Sequence, residues 1–104
     1  MATRRLDSDE PGAYVYMLHC VDGSYYVGSA RRGMDQRVNE HNQGVYGGYT
    51  STRRPVRLAW ADHFLNITDA IAVERQLKGW SRAKKEALIR GDCGAIQLLA
   101  KRRT

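Results

Sequence analysis

The chain reads as an α+β fold, a small three-stranded antiparallel sheet flanked by helices in the order β-β-α-β-α-α, with a last helical segment after it. Three observations predict this. The runs AYVYMLHC and YYVGSA, rich in aromatic and β-branched residues, lie on either side of Asp22-Gly23 and read as a hairpin. A third strand-like run, VRLAWADHF, follows some thirty residues later. The segments between and after these runs carry apolar residues at helical spacings of three and four.

Residues 1–12 are polar and charged and end in Pro11-Gly12, a lead-in expected to be disordered. The hairpin spans Ala13 to Ala30. Because an isolated hairpin is marginal in water, the rest of the chain is expected to cover one of its faces and to leave the other as a site. From Met34 to Gln43 the apolar residues Met34 and Val38, with His41, keep a helical period, and Gly44 suits the end. Val45 to Pro55 reads as a loop containing two tyrosines and two arginines, long enough to suggest function. The third strand covers Val56 to Phe64, with Val56, Leu58, Trp60 and Asp62 on one face.

Thr68 is the expected N-cap of a second helix striped by Ala70, Val73 and Leu77. Ser81 caps a third, with Ala83, Ala87 and Leu88 inward. A final helix over Asp92 to Lys101 is expected to pack Ile96 and Leu99. The domain is thus placed at 13–91, with 92–104 as a helical extension and basic tail.

The 104 residues carry 17 Lys and Arg against 11 Asp and Glu, a net charge of +6. That excess favours polyanionic partners, nucleic acid first among them. Two cysteines, Cys20 and Cys93, make neither a disulfide framework nor a C-x-x-C metal spacing. No apolar run approaches the ~20 residues of a membrane span, and the first residues lack the apolar core of a secretory signal. A cytoplasmic location without a membrane partner is expected.

Glu74 and Lys78 are four apart on the second predicted helix, and Arg37 and His41 four apart on the first. Each pair has an ordinary reading, as a helix ion pair or as the snorkelling rim of a core. Tyr46 and Tyr49, beside Arg53 and Arg54 in a Gly-rich loop, suit base stacking or phosphate contact. Arg31, Arg32, Lys78 and Lys84 are further candidates for a nucleic-acid-binding rim.

Taken together, the hairpin, the Arg-x-x-x-His helix and the Glu-bearing helix resemble the GIY-YIG nuclease domain. Tyr14-Val15-Tyr16 stands for its first triplet, keeping the final tyrosine, and Tyr26-Val27-Gly28 for its second. GMDQRVNEHNQG, Tyr49-Thr50, Arg54-Pro55-Val56 and AVERQLKGWSRAKKEALI look like the small stand-alone bacterial branch of the family, the UPF0213 type. The resemblance runs from about Tyr14 to Ile89.

It implies hydrolysis of phosphodiester bonds in DNA with one divalent metal ion, Mg²⁺ or Mn²⁺, and a setting in DNA repair. Glu74 becomes the metal ligand, Tyr16 the general base or its relay, Tyr26 the group that orients water or phosphate, and Arg37 the stabiliser of phosphoryl charge. His41 assists Tyr16, and Gly28 is structural. The residue types agree with that chemistry: Mg²⁺ needs only one or two carboxylates, and Arg offers a planar fork for phosphoryl oxygens. A tyrosine of pKa ~10 needs help to act as a base near neutrality. A domain this small is expected to select DNA by shape, with branched, nicked or single-stranded forms as candidates. RNA and a protein partner stay open. The competing reading is a non-catalytic nucleic-acid-binding module or interaction subunit that keeps the fold.

The hairpin carries an internal test. A two-residue Asp22-Gly23 loop puts Tyr16 and Tyr26 on opposite faces. A three-residue loop with Gly23 left-handed sets Tyr16 across from Gly28 and Tyr26 across from Leu18, on one face. A shared site requires the second register.

Overall fold

A computed structural model describes residues 11–31, 33–45 and 48–102, so the expected lead-in lies almost wholly outside the described residues. The hairpin strands are β1, Ala13–Cys20, and β2, Tyr25–Ala30. Tyr16 pairs with Gly28 and Leu18 with Tyr26, the register that a shared tyrosine face requires. The turn is the three-residue one: Gly23 has φ 87° and its N–H donates to the Cys20 carbonyl, while Cys20 N–H donates to Ser24 O at 2.9 Å. The third strand, β3, spans Val56–Phe64 and pairs antiparallel with the other edge of β1, so the sheet order is β2-β1-β3.

Helix α1, Met34–Asn42, is followed by a single helical turn, α2, Gly48–Ser51, within the stretch expected to be a loop. After β3 come α3, Ile67–Lys78, α4, Arg82–Ile89, and α5, Cys93–Arg102. Ser81 caps α4 as expected, accepting from Lys84 N–H at 3.2 Å. The cap of α3 is Asn66, not Thr68: its side-chain oxygen accepts from Thr68 N–H at 2.9 Å, which places Thr68 inside the first turn. Asn is at least as good a cap as Thr, and Ala70, Val73 and Leu77 are buried as the stripe predicts.

Both faces of the sheet are covered, which corrects the expectation of one open face. On one face Ala13, Val15, Met17 and Val27 pack with Ala70, Val73 and Leu77 of α3, Leu88 of α4, and Ala95 and Leu99 of α5. On the other, Tyr14, Tyr16, Leu18 and Cys20 pack with Met34 and Val38 of α1. A central strand buried on both sides explains why β1 reads as a nearly unbroken apolar run. On α5 Ala95 takes the inward place expected of Ile96, which is exposed, and on α4 Ala83 is exposed too.

A bulge in β3 alters the expected facing of its residues. Met17 pairs with Trp60 but Leu18 with Leu58, so Ala59 is the extra residue. The side-chain alternation changes phase there. Val56 and Leu58 consequently join the α1 face, and Trp60 joins the α3 face.

Two polar ties hold these layers in place. The Asn42 side chain at the end of α1 bonds the backbone of Val56 twice, accepting from its N–H at 2.6 Å and donating to its carbonyl at 2.9 Å. The hairpin tip is gripped from both faces: Arg53 Nε donates to Asp22 Oδ2 at 2.9 Å, and Arg82 donates to the Gly23 carbonyl. Tyr25 O–H adds a bond to Glu86 of α4 at 3.1 Å.

Replacing Asn42 by Ala removes both bonds to Val56 and leaves its N–H and carbonyl without them. The expected loss is about 1–3 kcal/mol in urea unfolding; a loss under about 0.5 kcal/mol, the size of an ordinary surface substitution, would contradict this role.

Candidate active site

Gly28 determines how the tyrosines sit. A Cβ there would lie 2.6 Å from the Tyr16 hydroxyl oxygen, 2.8 Å from Tyr16 Cζ and 3.0 Å from a Tyr26 ring carbon. The ring of Tyr16 therefore lies across the backbone of its strand partner, and only glycine leaves room for it. Its ring is also fixed from above, since Tyr16 is 1% exposed and could not swing aside.

That placement brings the Tyr16 hydroxyl 3.2 Å from His41 Nε2, and His41 Nδ1 in turn lies 2.7 Å from Thr50 Oγ1. Thr50 and His41 are buried, the imidazole being 3% exposed. Helix α1 supplies His41 and the single turn α2 supplies Thr50, so the expected loop is ordered by a bond to the site. Tyr26 completes the cluster, with its ring 5.0 Å from the His41 ring and 6.3 Å from that of Tyr16.

Burial, and after it the charge of Arg37, lower the His41 pKa from its ordinary 6.5, with Glu40 pulling the other way. His41 is accordingly a neutral imidazole near neutrality, able to accept one hydrogen bond and donate another. Arg37 stands one turn before His41 on α1, half-buried, with its Nε 4.0 Å from Glu40 Oε1.

Tyr26 also faces a hollow of about 210 Å³ lined by Tyr25, Tyr49, Lys78 and Lys85. Tyr49 is exposed, its ring 6.1 Å from Tyr26, with the Arg53 guanidinium 3.9 Å from its centre. Burial lowers the Lys85 pKa.

Glu74 belongs to the opposite layer, because α3 packs on the far face of the sheet from α1. Its carboxylate is 2.9 Å from Lys78 Nζ, and Lys78 lines the hollow beside Tyr26. Tyr16, Tyr26 and the helix carrying Arg37 and His41 thus share one face, whereas Glu74 belongs to α3 on the other.

The expected nucleic-acid rim divides in two. Arg31, Tyr49, Lys78 and Lys84 are exposed, and Arg32 lies outside the described residues, as does Tyr46. Arg53 and Arg54 are instead largely engaged within the chain. Arg53 donates to Asp22 and to the Tyr49 carbonyl at 2.9 Å, and Arg54 donates to the carbonyls of Ser51 and Asn42. Thr50 was singled out by no property of its own in the sequence; a threonine in a Gly-rich loop gives no sign that it will meet a histidine nine positions earlier.

The hairpin thus sets Tyr16 of β1 and Tyr26 of β2 over Gly28, and α1 brings His41 to their rings. The family model for the GIY-YIG catalytic domain matches residues 12–87, and this chain belongs to that family. A UPF0213 protein of Staphylococcus saprophyticus is 40% identical over 76 residues, 73% of this chain and 92% of that protein. One from Staphylococcus aureus is 38% identical over 77 residues, 74% of this chain and 93% of that protein. The solution NMR structure of a UPF0213 protein from Bacillus halodurans is similar with a TM-score of 0.51 at 38% identity, over 79% of this chain and 86% of that one. A second NMR structure, of a protein from E. faecalis, gives a TM-score of 0.55 at 29% identity, over 81% and 90% of the two chains. The GIY-YIG family is a nuclease family whose members generally use divalent metal ions.

Two outcomes follow from the cluster. Gly28→Ala forces the buried Tyr16 ring off its seat, and urea unfolding should register a loss of about 1–3 kcal/mol, the usual cost of overpacking; an unchanged midpoint would mean that the ring is free to move. His41 protonates more readily in the unfolded chain than in the folded one, so its contribution to stability is complete above pH ~6.5 and is lost as pH falls below that value. Unfolding measured between about pH 7 and 5 should show a decline that His41→Gln reduces. Equal declines in the two proteins would count against a buried neutral imidazole.

Proposed function

We propose that this protein is a metal-dependent endonuclease that hydrolyses phosphodiester bonds in DNA and selects its substrate by structure more than by sequence. The observation that carries the reading is the buried Tyr16–His41 hydrogen bond, set directly behind Tyr26 where that residue faces a hollow lined by lysines.

The donor set suits a hard, weakly held ion. Among the described residues no three His, Cys, Asp or Glu side chains come together as a metal cage. Glu74, with its side chain 20% exposed, offers one carboxylate, and Mg²⁺ or Mn²⁺ can complete its shell with water and phosphate oxygens. When bound, such an ion lowers the pKa of its water and offsets charge on the phosphoryl group.

The protein's own groups divide the remaining work. Tyr26 faces the hollow and orients the attacking water or the phosphate. Tyr16 is 1% exposed, so it would act as a relay, receiving the water's proton by way of the Tyr26 hydroxyl and passing its own to His41 Nε2. It links to His41, whose neutral imidazole can take up a proton. Arg37 stabilises the charge that develops on the phosphoryl oxygens. Arg31, Lys84 and Lys85 hold the backbone of the nucleic acid, and Tyr49 offers an exposed ring for a base. Arg53 and Arg54 contribute indirectly, by fixing α2.

The test is nicking of supercoiled plasmid and branched DNA with Mg²⁺ or Mn²⁺. The wild-type protein should cleave and chelator should stop it. Glu74→Ala and Tyr16→Phe should each lower the rate by about a hundredfold or more, the range typical of lost charge stabilisation or proton transfer. Cleavage that persists undiminished in both variants, or binding without cleavage by the wild type, would overturn the assignment.

A further inference from the structure

Lys78 belongs to two environments at once. Its ammonium lies 2.9 Å from the Glu74 carboxylate, and its side chain lines the hollow beside Tyr26, Tyr49 and Lys85. The two partners differ in freedom, the Glu74 side chain being 20% exposed and that of Lys78 57%. The carboxylate is held against the protein while the ammonium sits on a long stem with room to turn.

Lys78 supplies the Glu74 carboxylate with a counter-charge from the next turn of the same helix. An ammonium and a divalent cation compete for the same oxygens, and they repel each other across a few ångströms. If the cation takes the carboxylate, an anion in the hollow that Lys78 lines is within the reach of its side chain. Lys85 already directs positive charge there.

Resting on the nuclease reading above, we propose that Lys78 is an exchangeable counter-ion: it pairs with Glu74 in the metal-free protein, yields the carboxylate to the incoming divalent cation, and turns to a phosphate oxygen of the nucleic acid in the hollow. It is a positioning residue in this scheme. An ordinary helix ion pair, by contrast, would neither oppose the metal nor respond to it.

The scheme predicts that removing the lysine strengthens metal binding. Mn²⁺ binding is followed by the EPR signal of the free ion, and Glu74→Gln identifies the component that depends on Glu74. In Lys78→Met, and equally in Lys78→Gln, that component should tighten about three- to tenfold, the size expected when one like charge close to a divalent cation is removed. Unchanged or weaker binding in both variants would overturn the proposal while leaving the nuclease reading intact. No Glu74-dependent binding in wild type or variants would defeat the metal assignment itself, and this proposal with it. A second arm measures anisotropy of a labelled branched DNA. Lys78→Met should weaken binding about threefold or more with Ca²⁺ and less than about twofold with EDTA, since Lys78 is free for phosphate only when a cation holds Glu74. Equal weakening in both buffers would mark Lys78 as bulk surface charge and overturn the exchange.

Discussion

The close approach of the Tyr16 ring to the backbone of Gly28 is the constraint on which the site depends. With no Cβ at that position, a tyrosine on the central strand can lie across its neighbour and bring its hydroxyl to His41. Everything else in the cluster is arranged around that contact. The three-residue turn at Gly23 fixes the register that makes Gly28 the partner of Tyr16. Helix α1 is tied to β3 through Asn42, which fixes where His41 meets the ring. The turn α2 is pinned between the hairpin tip and α1 by Arg53 and Arg54, which sets Thr50 against the other imidazole nitrogen.

The directions of the hydrogen bonds follow from the chemistry of the two hydroxyls. A phenol is the more acidic and the better donor, and an aliphatic hydroxyl the better acceptor. We infer from this that Tyr16 donates to Nε2 and that Nδ1–H donates to Thr50. In this arrangement the neutral imidazole draws electron density toward the phenolic oxygen and stands ready to take its proton. The reverse tautomer would leave Tyr16 as an acceptor and deprive it of a base. Burial reinforces the arrangement, because an imidazolium at this depth would lose its solvation beside the positive charge of Arg37.

Much of this was legible in the residues. Aromatic and β-branched runs around Asp22-Gly23 identify the hairpin, and the demand that Tyr16 and Tyr26 share a site, which comes from the family resemblance, selects its register. The helical spacing of Arg37 and His41, and of Glu74 and Lys78, places both pairs on helices where they stand. What escaped were features decided by tertiary contacts. The phase change of β3 has no local cue, since Leu58 and Trp60 are equally apolar and only pairing with β1 separates them. Covering of the second face depends on α1 folding back across the sheet, which leaves α3 and its Glu74 in the other layer. The arginines of the loop read as nucleic-acid contacts, and Asp22 and backbone carbonyls engage them within the chain. Asn42 and Thr50, two of the most structurally informative polar residues, carry no periodic signal at all.

The central claim is that a neutral His41 accepts a hydrogen bond from Tyr16, and the most direct measurement is the protonation pattern of that ring. Long-range ¹⁵N–¹H correlation spectra of the imidazole near neutral pH should show a proton on Nδ1 and a bare, pyridine-like Nε2, with Tyr16→Phe shifting the Nε2 resonance. A proton on Nε2, or a doubly protonated ring under the same conditions, would contradict the account.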